Sequence, residues 1–497
     1  MIHPSHAFYR PGETVEISVP GSFKATIWHL ADVVARIEDQ TMLRWLPPAI
    51  PRRGYRIRIT NKTGDYWTAF DVLSTWTDAP RYGFLFDFSP ERLSVDLDWL
   101  LAHHVNGIQF YDWLYRHDWL MPPQSVYDDP LGRHLSLDTV RQLISAAHSR
   151  SMAALPYTAI YAASPSFAAE HSDWGLYDSS GTLHDFADGF LKIMNLDSPW
   201  RTHFLHECES VLNALSFDGL HIDQYGEPQT GFDATGETVD LPQAIAETLH
   251  AIHNSLSENK VLLFNLVHNW PLETIASTPV DFLYCELWPP QITLGDLARI
   301  TTQNWQVSGG HCPVVAVYIN PAYERTVTLV QSVIAASGGY HIAHGEDGLY
   351  LSDPYFPKAE RPSKALAKQL KRLADFGVAY SELLTFACPV DVKAQMDESL
   401  WLIPRRAPGK LILNLINASP QDRWDRDLAP ALSSHVRISI PVENTIEQVW
   451  MVSPDAPSPP QPLTFSQGNG LLNFEVPEVN IWTLVCIQFT PTVESEQ

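Results

Sequence analysis

Cysteine is scarce in this 497-residue chain: Cys208, Cys285, Cys312, Cys388 and Cys486 stand singly, with no CxxC pair and an odd total. That excludes a disulfide framework and a zinc knuckle and leaves buried, reduced thiols as the expectation. Cations are scarce as well, 33 Lys+Arg against 57 Asp+Glu, a formal charge of -24. Such a chain repels phosphate backbones and anionic lipid, so no nucleic-acid or membrane partner is expected, and the substrate is expected to be neutral or cationic. No apolar run reaches the roughly 18 residues that a membrane span needs. The opening MIHPSHAFYRPGETVEISV has no basic segment followed by an apolar one, so no secretory signal is read. A cytoplasmic placement is therefore expected over a secreted chain whose leader has been removed.

Aromatic residues, by contrast, are plentiful: 16 Trp, 18 Tyr and 21 Phe. Aromatic wealth without basic charge suits flat-faced neutral ligands such as sugars. Residues 1–77 read as strands (TVEISV, KATIWHL, YRIRIT, WTAFDVL) separated by Pro/Gly-rich turns, an N-terminal immunoglobulin-like β-sandwich. Residues 386–497 read likewise (SLWLI, KLILNLIN, HVRISI, IEQVWMV, IWTLVCIQF), a C-terminal β-sandwich. Between them, in 78–385, eight short apolar runs alternate with segments of helical spacing, the signature of βα units. The runs are RYGFLFDF, GIQFYDW, MAALPYTAIY, GLHIDQYG, VLLFNLVHN, DFLYCELW, CPVVAVYIN and YHIAHG. Eight such units close a (β/α)8 TIM barrel, so the fold class is α/β, a barrel flanked by two β-sandwiches. An open doubly wound sheet would want a glycine-rich turn after its first strand, and FDFSPERL has none. A monomer is expected.

Active sites of such barrels lie at the C-terminal ends of the strands. The predicted strands deliver there Asp87; Tyr111 and Asp112; Tyr157 and Tyr161; His221, Asp223 and Tyr225; Asn265 and His268; Glu286 and Trp288; Tyr318 and Asn320; His341 and His344. This rim of carboxylates, amides and rings with almost no cations is what glycosidic bond hydrolysis asks for. Metal-dependent hydrolysis is the rival, yet no HxH or HExxH pair is present, and His103-His104 falls in the first helix, so no metal or cofactor is expected. Asp223 and Glu286 stand out as acids inside otherwise apolar strands. Of their neighbours, Asp218 is expected to close the turn below the fourth strand and Glu227 to be a solvated loop carboxylate. His221 is either a sugar ligand or a satisfied core histidine.

At these residues the chain closely resembles glycoside hydrolase family 66, the dextranases and cyclising isomaltooligosaccharide glucanotransferases. The motifs are FDGLHIDQYGEP, QFYDWLYRHDWLMPP, DPLGRHLSLDTV, YAASPSFAAEHSDWGLY, KIMNLDSPW and DFLYCELWPP, with AFDVLSTWTDAPRYGFLFDF and VWMVSPD at the flanks. The resemblance implies a retaining hydrolase of α-1,6-glucan, dextran or isomaltooligosaccharides, with Asp223 as nucleophile and Glu286 as acid/base. Asp87, Tyr111, Asp112, Tyr157, Asn195, His221, Tyr225, Asn265, Trp288, Tyr318 and His344 are the candidate substrate-binding residues. The cyclising members carry a carbohydrate-binding module inserted in the barrel, for which the step from CPVVAVYIN to TVTLVQSVIAASGG leaves no room; a hydrolase is therefore expected over a cyclase or disproportionating transglycosylase. An inert α-glucan-binding relative is the alternative from another class.

Overall fold

Every one of the eight apolar runs forms a strand in a computed structural model, which describes residues 2–92, 96–396, 398–428 and 433–491. The barrel strands are β1 (Tyr82–Leu85), β2 (Gly107–Phe110), β3 (Ala153–Ala159), β4 (Gly219–Asp223), β5 (Val261–Val267), β6 (Phe282–Glu286), β7 (Val314–Ala316) and β8 (Tyr340–His341). They pair in sequence order into one parallel sheet. A bridge between Phe84 and Gly345, with the Phe84 N–H donating to His344 O at 3.1 Å, closes β8 onto β1.

Alternation along these strands builds two cores, because successive side chains face opposite sides of a sheet. Tyr82, Phe84, Leu155, Leu263, Tyr284 and Val314 fill the barrel. Ile108, Phe110, Leu220, Ile222, Leu262 and Phe264 face outward against the helices. The β4–β5 approach is so close that a Cβ on Gly219 would lie 1.9 Å from Val261 O; only glycine fits there.

The helices that follow the barrel strands are α1 (Asp98–Ala102), α2 (Leu137–His148), α3 (Trp200–Ala214), α4 (Leu241–Ser255), α5 (Leu272–Ala276), α6 (Leu294–Val307), α7 (Glu324–Ala336) and α8 (Lys364–Ala379), with a further short helix, Pro165–Glu170, in the loop between β3 and α3. Local chemistry starts several of them. Ser136, Asp240 and Ser363 accept N-terminal amides of α2, α4 and α8, and Thr293 forms a capping box with Asp296 at α6, each satisfying an otherwise orphaned donor. The first expected helix begins at Val95, which lies outside the described residues; its described part is short. The sequence reading left α8 unassigned although Leu366, Leu370, Leu373 and Phe376 keep helical spacing and are buried. Its C-terminal end packs on the N-terminal sheet, where Gly54 lies against the Val378 and Ala379 carbonyls.

That sheet is antiparallel and four-stranded, Asp32–Asp39, Phe23–His29, Arg53–Asn61 and Gly64–Val72, beside the pair Val15–Ser18 and Met42–Trp45. Asp32–Asp39 escaped the sequence reading because it is an edge strand with no fully buried residue; Ala35 and Ile37 pack only partly buried on the N-terminal core. C-terminally, a six-stranded and a three-stranded antiparallel sheet enclose Leu411, Leu413, Val436, Ile438, Leu472 and Phe474. Its strand Leu471–Val479 was also unforeseen, with Pro477 inside it. Four cysteines are buried and free as expected; Cys388, on a short strand, is exposed.

Candidate active site

Asp223 and Glu286 are the last residues of β4 and β6, and β5 runs between them. The register pairs Val267 with Glu286 and Asn265 with Tyr284, which sets Asn265 between the two acids. Its Nδ2 donates to Asp223 Oδ1 and to Glu286 Oε2, each at 2.7 Å. Two oxygens bound to one nitrogen at that distance lie at most about 5.4 Å apart. Asp223 Oδ2 accepts from the Tyr157 hydroxyl at 2.7 Å, and Oδ1 also from the Gln224 N–H at 2.9 Å. Glu286 Oε1 accepts from the Tyr318 hydroxyl at 2.5 Å. Gln224 in turn donates to Asn265 O at 2.9 Å and Trp270 O at 2.8 Å, fixing the β4–β5 edge behind the pair.

Burial raises both carboxyls above the ordinary range, and for Asp223 the neighbouring Glu286 adds to the rise. Hydrogen bonds oppose the shift in each case without reversing it. With no cation among the described residues touching either group, the two titrate as a pair whose protons leave in two steps. One ionised and one protonated member is the state a buried pair of like charges favours.

The pair sits in an open cleft of about 660 Å³ at the C-terminal face of the barrel. Tyr111, Asp112, Tyr157, His221, Tyr225, Asn265, Trp288 and Tyr318 all border it. Tyr111 and Tyr157 lie 5.3 Å apart centroid to centroid, as do Trp288 and Tyr318. Asp112 is buried, and burial lifts its carboxyl to about 7. His221 is stacked on Tyr82, with Nδ1 3.2 Å from the Tyr82 hydroxyl, and burial drives its pKa down to about 3. It is a neutral histidine of the barrel floor that reaches the cleft.

Three candidates do not border the cleft. Asp87 closes a turn: its Oδ1 accepts the Ser89 N–H at 3.1 Å, and its own N–H goes to Glu346. Asn195 does the same before α3, accepting the Asp197 N–H at 2.9 Å. His344 comes after β8 has already ended at His341, and its ring packs 4.4 Å from that of His103, between barrel and α1. The expected turn role of Asp218 is realised, since Oδ2 accepts the Ala154 N–H at 2.7 Å and contacts His148 Nε2 at 2.8 Å. Glu227 is exposed at the cleft rim.

Sequence reasoning missed contributions from the loops. Glu346 is buried, pairs with Arg92 and accepts the Phe86 and Asp87 amides at 2.8 Å, which shapes the end of β1. Tyr355 and Phe356 border the cleft from beyond β8, and Phe356 stacks on Tyr111 at 4.3 Å; the aromatic pair in SDPYFP was their only signal. Phe186 and Phe190 border it from a hairpin after β3.

A family model described as glycosyl hydrolase family 66 matches residues 4–486. The chain is 23% identical to a cycloisomaltooligosaccharide glucanotransferase of Niallia circulans, over 98% of this chain and 71% of the relative. It is 22% identical to a dextranase of Streptococcus salivarius, over 66% of this chain and 49% of the relative. Among solved structures, a Paenibacillus sp. cycloisomaltooligosaccharide glucanotransferase complexed with cycloisomaltoheptaose superposes with a TM-score of 0.91 at 20% identity, covering 98% of this chain and 99% of that one. At that identity the likeness establishes the fold.

Proposed function

The chain belongs to glycosyl hydrolase family 66, and on that premise we propose that it hydrolyses α-1,6-glucosidic linkages of dextran or isomaltooligosaccharides with retention, Asp223 acting as nucleophile and Glu286 as acid/base. The observation that carries the mechanism is the Asn265 bridge, which holds the nearest carboxylate oxygens within about 5.4 Å. Retaining glycosidases space their carboxyl groups by about 5 to 5.5 Å, whereas inverting ones leave about 6.5 to 9.5 Å for a water.

In the first step Asp223 Oδ attacks C1 of the bound glucosyl unit. The C1–O bond to the leaving sugar breaks, and Glu286 delivers its proton to that oxygen. Burial supports both roles, because it keeps a proton on one acid of the pair near neutral pH. In the second step Glu286, now ionised, takes a proton from water, whose oxygen attacks C1 and displaces Asp223. Tyr157 and Asn265 hold Asp223 in line throughout, and Tyr318 orients Glu286. The linkage is supported by relatives named dextranase and cycloisomaltooligosaccharide glucanotransferase.

Digests of dextran, starch, cellulose and pullulan, with the anomer of the first product read by NMR, test the proposal. Release of α-anomeric isomaltooligosaccharides from dextran is expected, with Asp223→Ala and Glu286→Gln inactive but folded. Near-normal activity of either variant, or a β-anomeric first product, refutes the roles. Cyclic products resistant to exo-glucosidases would replace hydrolysis by intramolecular transglycosylation.

A further inference from the structure

After β3 the chain does not return directly to α3. It first forms an antiparallel three-stranded sheet from Ala162–Ala163, Leu191–Ile193 and Asp185–Phe186. The last two strands make a hairpin with its tip at Ala187 to Phe190. An ion pair between Lys192 and Asp185 at 3.2 Å and the Phe190 N–H donating to Ala187 O at 3.1 Å brace that tip. Phe186 and Phe190 flank it with 42% and 36% of their surface exposed, and both border the catalytic cleft.

Single exposed apolar residues need no explanation, but two phenylalanines on one braced tip at a cleft mouth form a surface awaiting an apolar face. Ring contacts tie that surface to the catalytic pair. Phe186 meets Tyr161 edge-on at 5.9 Å, Tyr161 meets Tyr225 at 5.0 Å, and Tyr161 is buried at the end of β3 within the field of Asp223. The direction of the bound chain follows from the chemistry. Glu286 must face the glycosidic oxygen, so the leaving sugar lies toward Trp288 and Tyr318. The glycone therefore runs the other way, over β2 to β4 and toward the hairpin.

We propose that Phe186 and Phe190 form an outer glycone subsite, stacking on the apolar faces of glucosyl units beyond the one attacked and so setting the chain length the enzyme prefers. This inference rests on the reading of the cleft as an α-1,6-glucan site and deepens it. Each 1,6 linkage carries an extra rotatable methylene, so the chain is flexible and costs entropy to order. Two fixed rings far from the cleaved bond recover that cost only for chains long enough to reach them. Remote binding of this kind appears in the reaction of long substrates alone.

The test compares kcat/KM on isomaltotriose through isomaltoheptaose and on dextran for wild type, Phe186→Ala, Phe190→Ala, the double variant and Phe186→Trp. Each alanine is expected to cost about tenfold on the longest substrates, chiefly through KM, with no change on the shortest substrate cleaved and an unchanged melting temperature. Phe186→Trp restores the preference for length. Wild-type cleavage with an unaltered length profile in the double variant overturns the subsite alone, as does an equal loss on every length. A wild type that leaves the whole ladder intact overturns the α-1,6 assignment and the subsite with it.

Discussion

Replacing Asn265 by alanine removes the group whose amide bonds both acids. Two hydrogen bonds of 2.7 Å disappear, the one to the ionised acid worth about 1.5–3 kcal/mol and the one to the protonated acid about 1 kcal/mol. The cleft is open, so water re-solvates part of what is lost, and about half of the sum, roughly 1.5–2 kcal/mol, is expected to reach the barrier. That corresponds to about a ten- to thirtyfold loss in kcat, with KM little changed because the amide grips the acids rather than the sugar. The pH profile supplies a second reading. Amide donors favour the ionised carboxylates, so their loss raises both pKa values further. The acidic limb of kcat/KM, which reports ionisation of the free enzyme's nucleophile, then moves to higher pH. Reducing-end release from dextran across pH 4 to 9 measures both quantities. A loss under about fivefold, together with an unmoved acidic limb, would refute the claim that the bridge organises the pair.

Glu286→Gln is expected to raise the melting temperature at pH 8 while abolishing turnover, because it removes a buried group that resists ionisation. The sign follows from linkage: with pKa values raised on folding, the folded chain holds protons the unfolded chain releases, so wild-type stability falls as pH rises through the raised range. Calorimetry at pH 5 and 8 checks that the gain is larger at the higher pH. Gly219→Ala is expected to abolish folding, since its Cβ would meet Val261 O at 1.9 Å and neither β4 nor β5 has slack; soluble, native-like protein by circular dichroism would contradict this. Arg81→Ala leaves Asp71 buried without its bidentate partner, at 2.7 and 3.1 Å, and frees the Ala7 and His104 carbonyls it bonds. A cost of about 3–5 kcal/mol is expected, read as a lower urea midpoint; an unchanged midpoint would contradict it.

Some features were legible because they are local. The eight apolar runs announce strands buried on both faces, and Asp223 and Glu286 are conspicuous in them because an acid at the end of such a run must be accommodated chemically. Asp218 could be ranked below Asp223 from its place beside Gly219. Other features were illegible because a local turn claims the side chain or because the signal lies in distant partners. Asp87, Asn195 and His344 carry the residue types of a sugar site, yet local turns or packing against α1 claim each of them. Glu346 and the Phe186–Phe190 hairpin carry no marker in their own segments. The edge strand Asp32–Asp39 is weakly marked because none of its residues is fully buried and Ala35 and Ile37 cover one face only in part.

The order of the strands, the period of their side chains and the two strand-end acids follow from the sequence alone, since each depends on residues within one segment. The working site does not. Only closure of the sheet inserts β5 between β4 and β6 and brings one Asn265 nitrogen to 2.7 Å from both acids. The same closure removes water from them and raises their pKa values, because desolvation depends on every wall of the cleft at once. It also sets a hairpin from β3 and a loop from beyond β8 along the walls of that cleft.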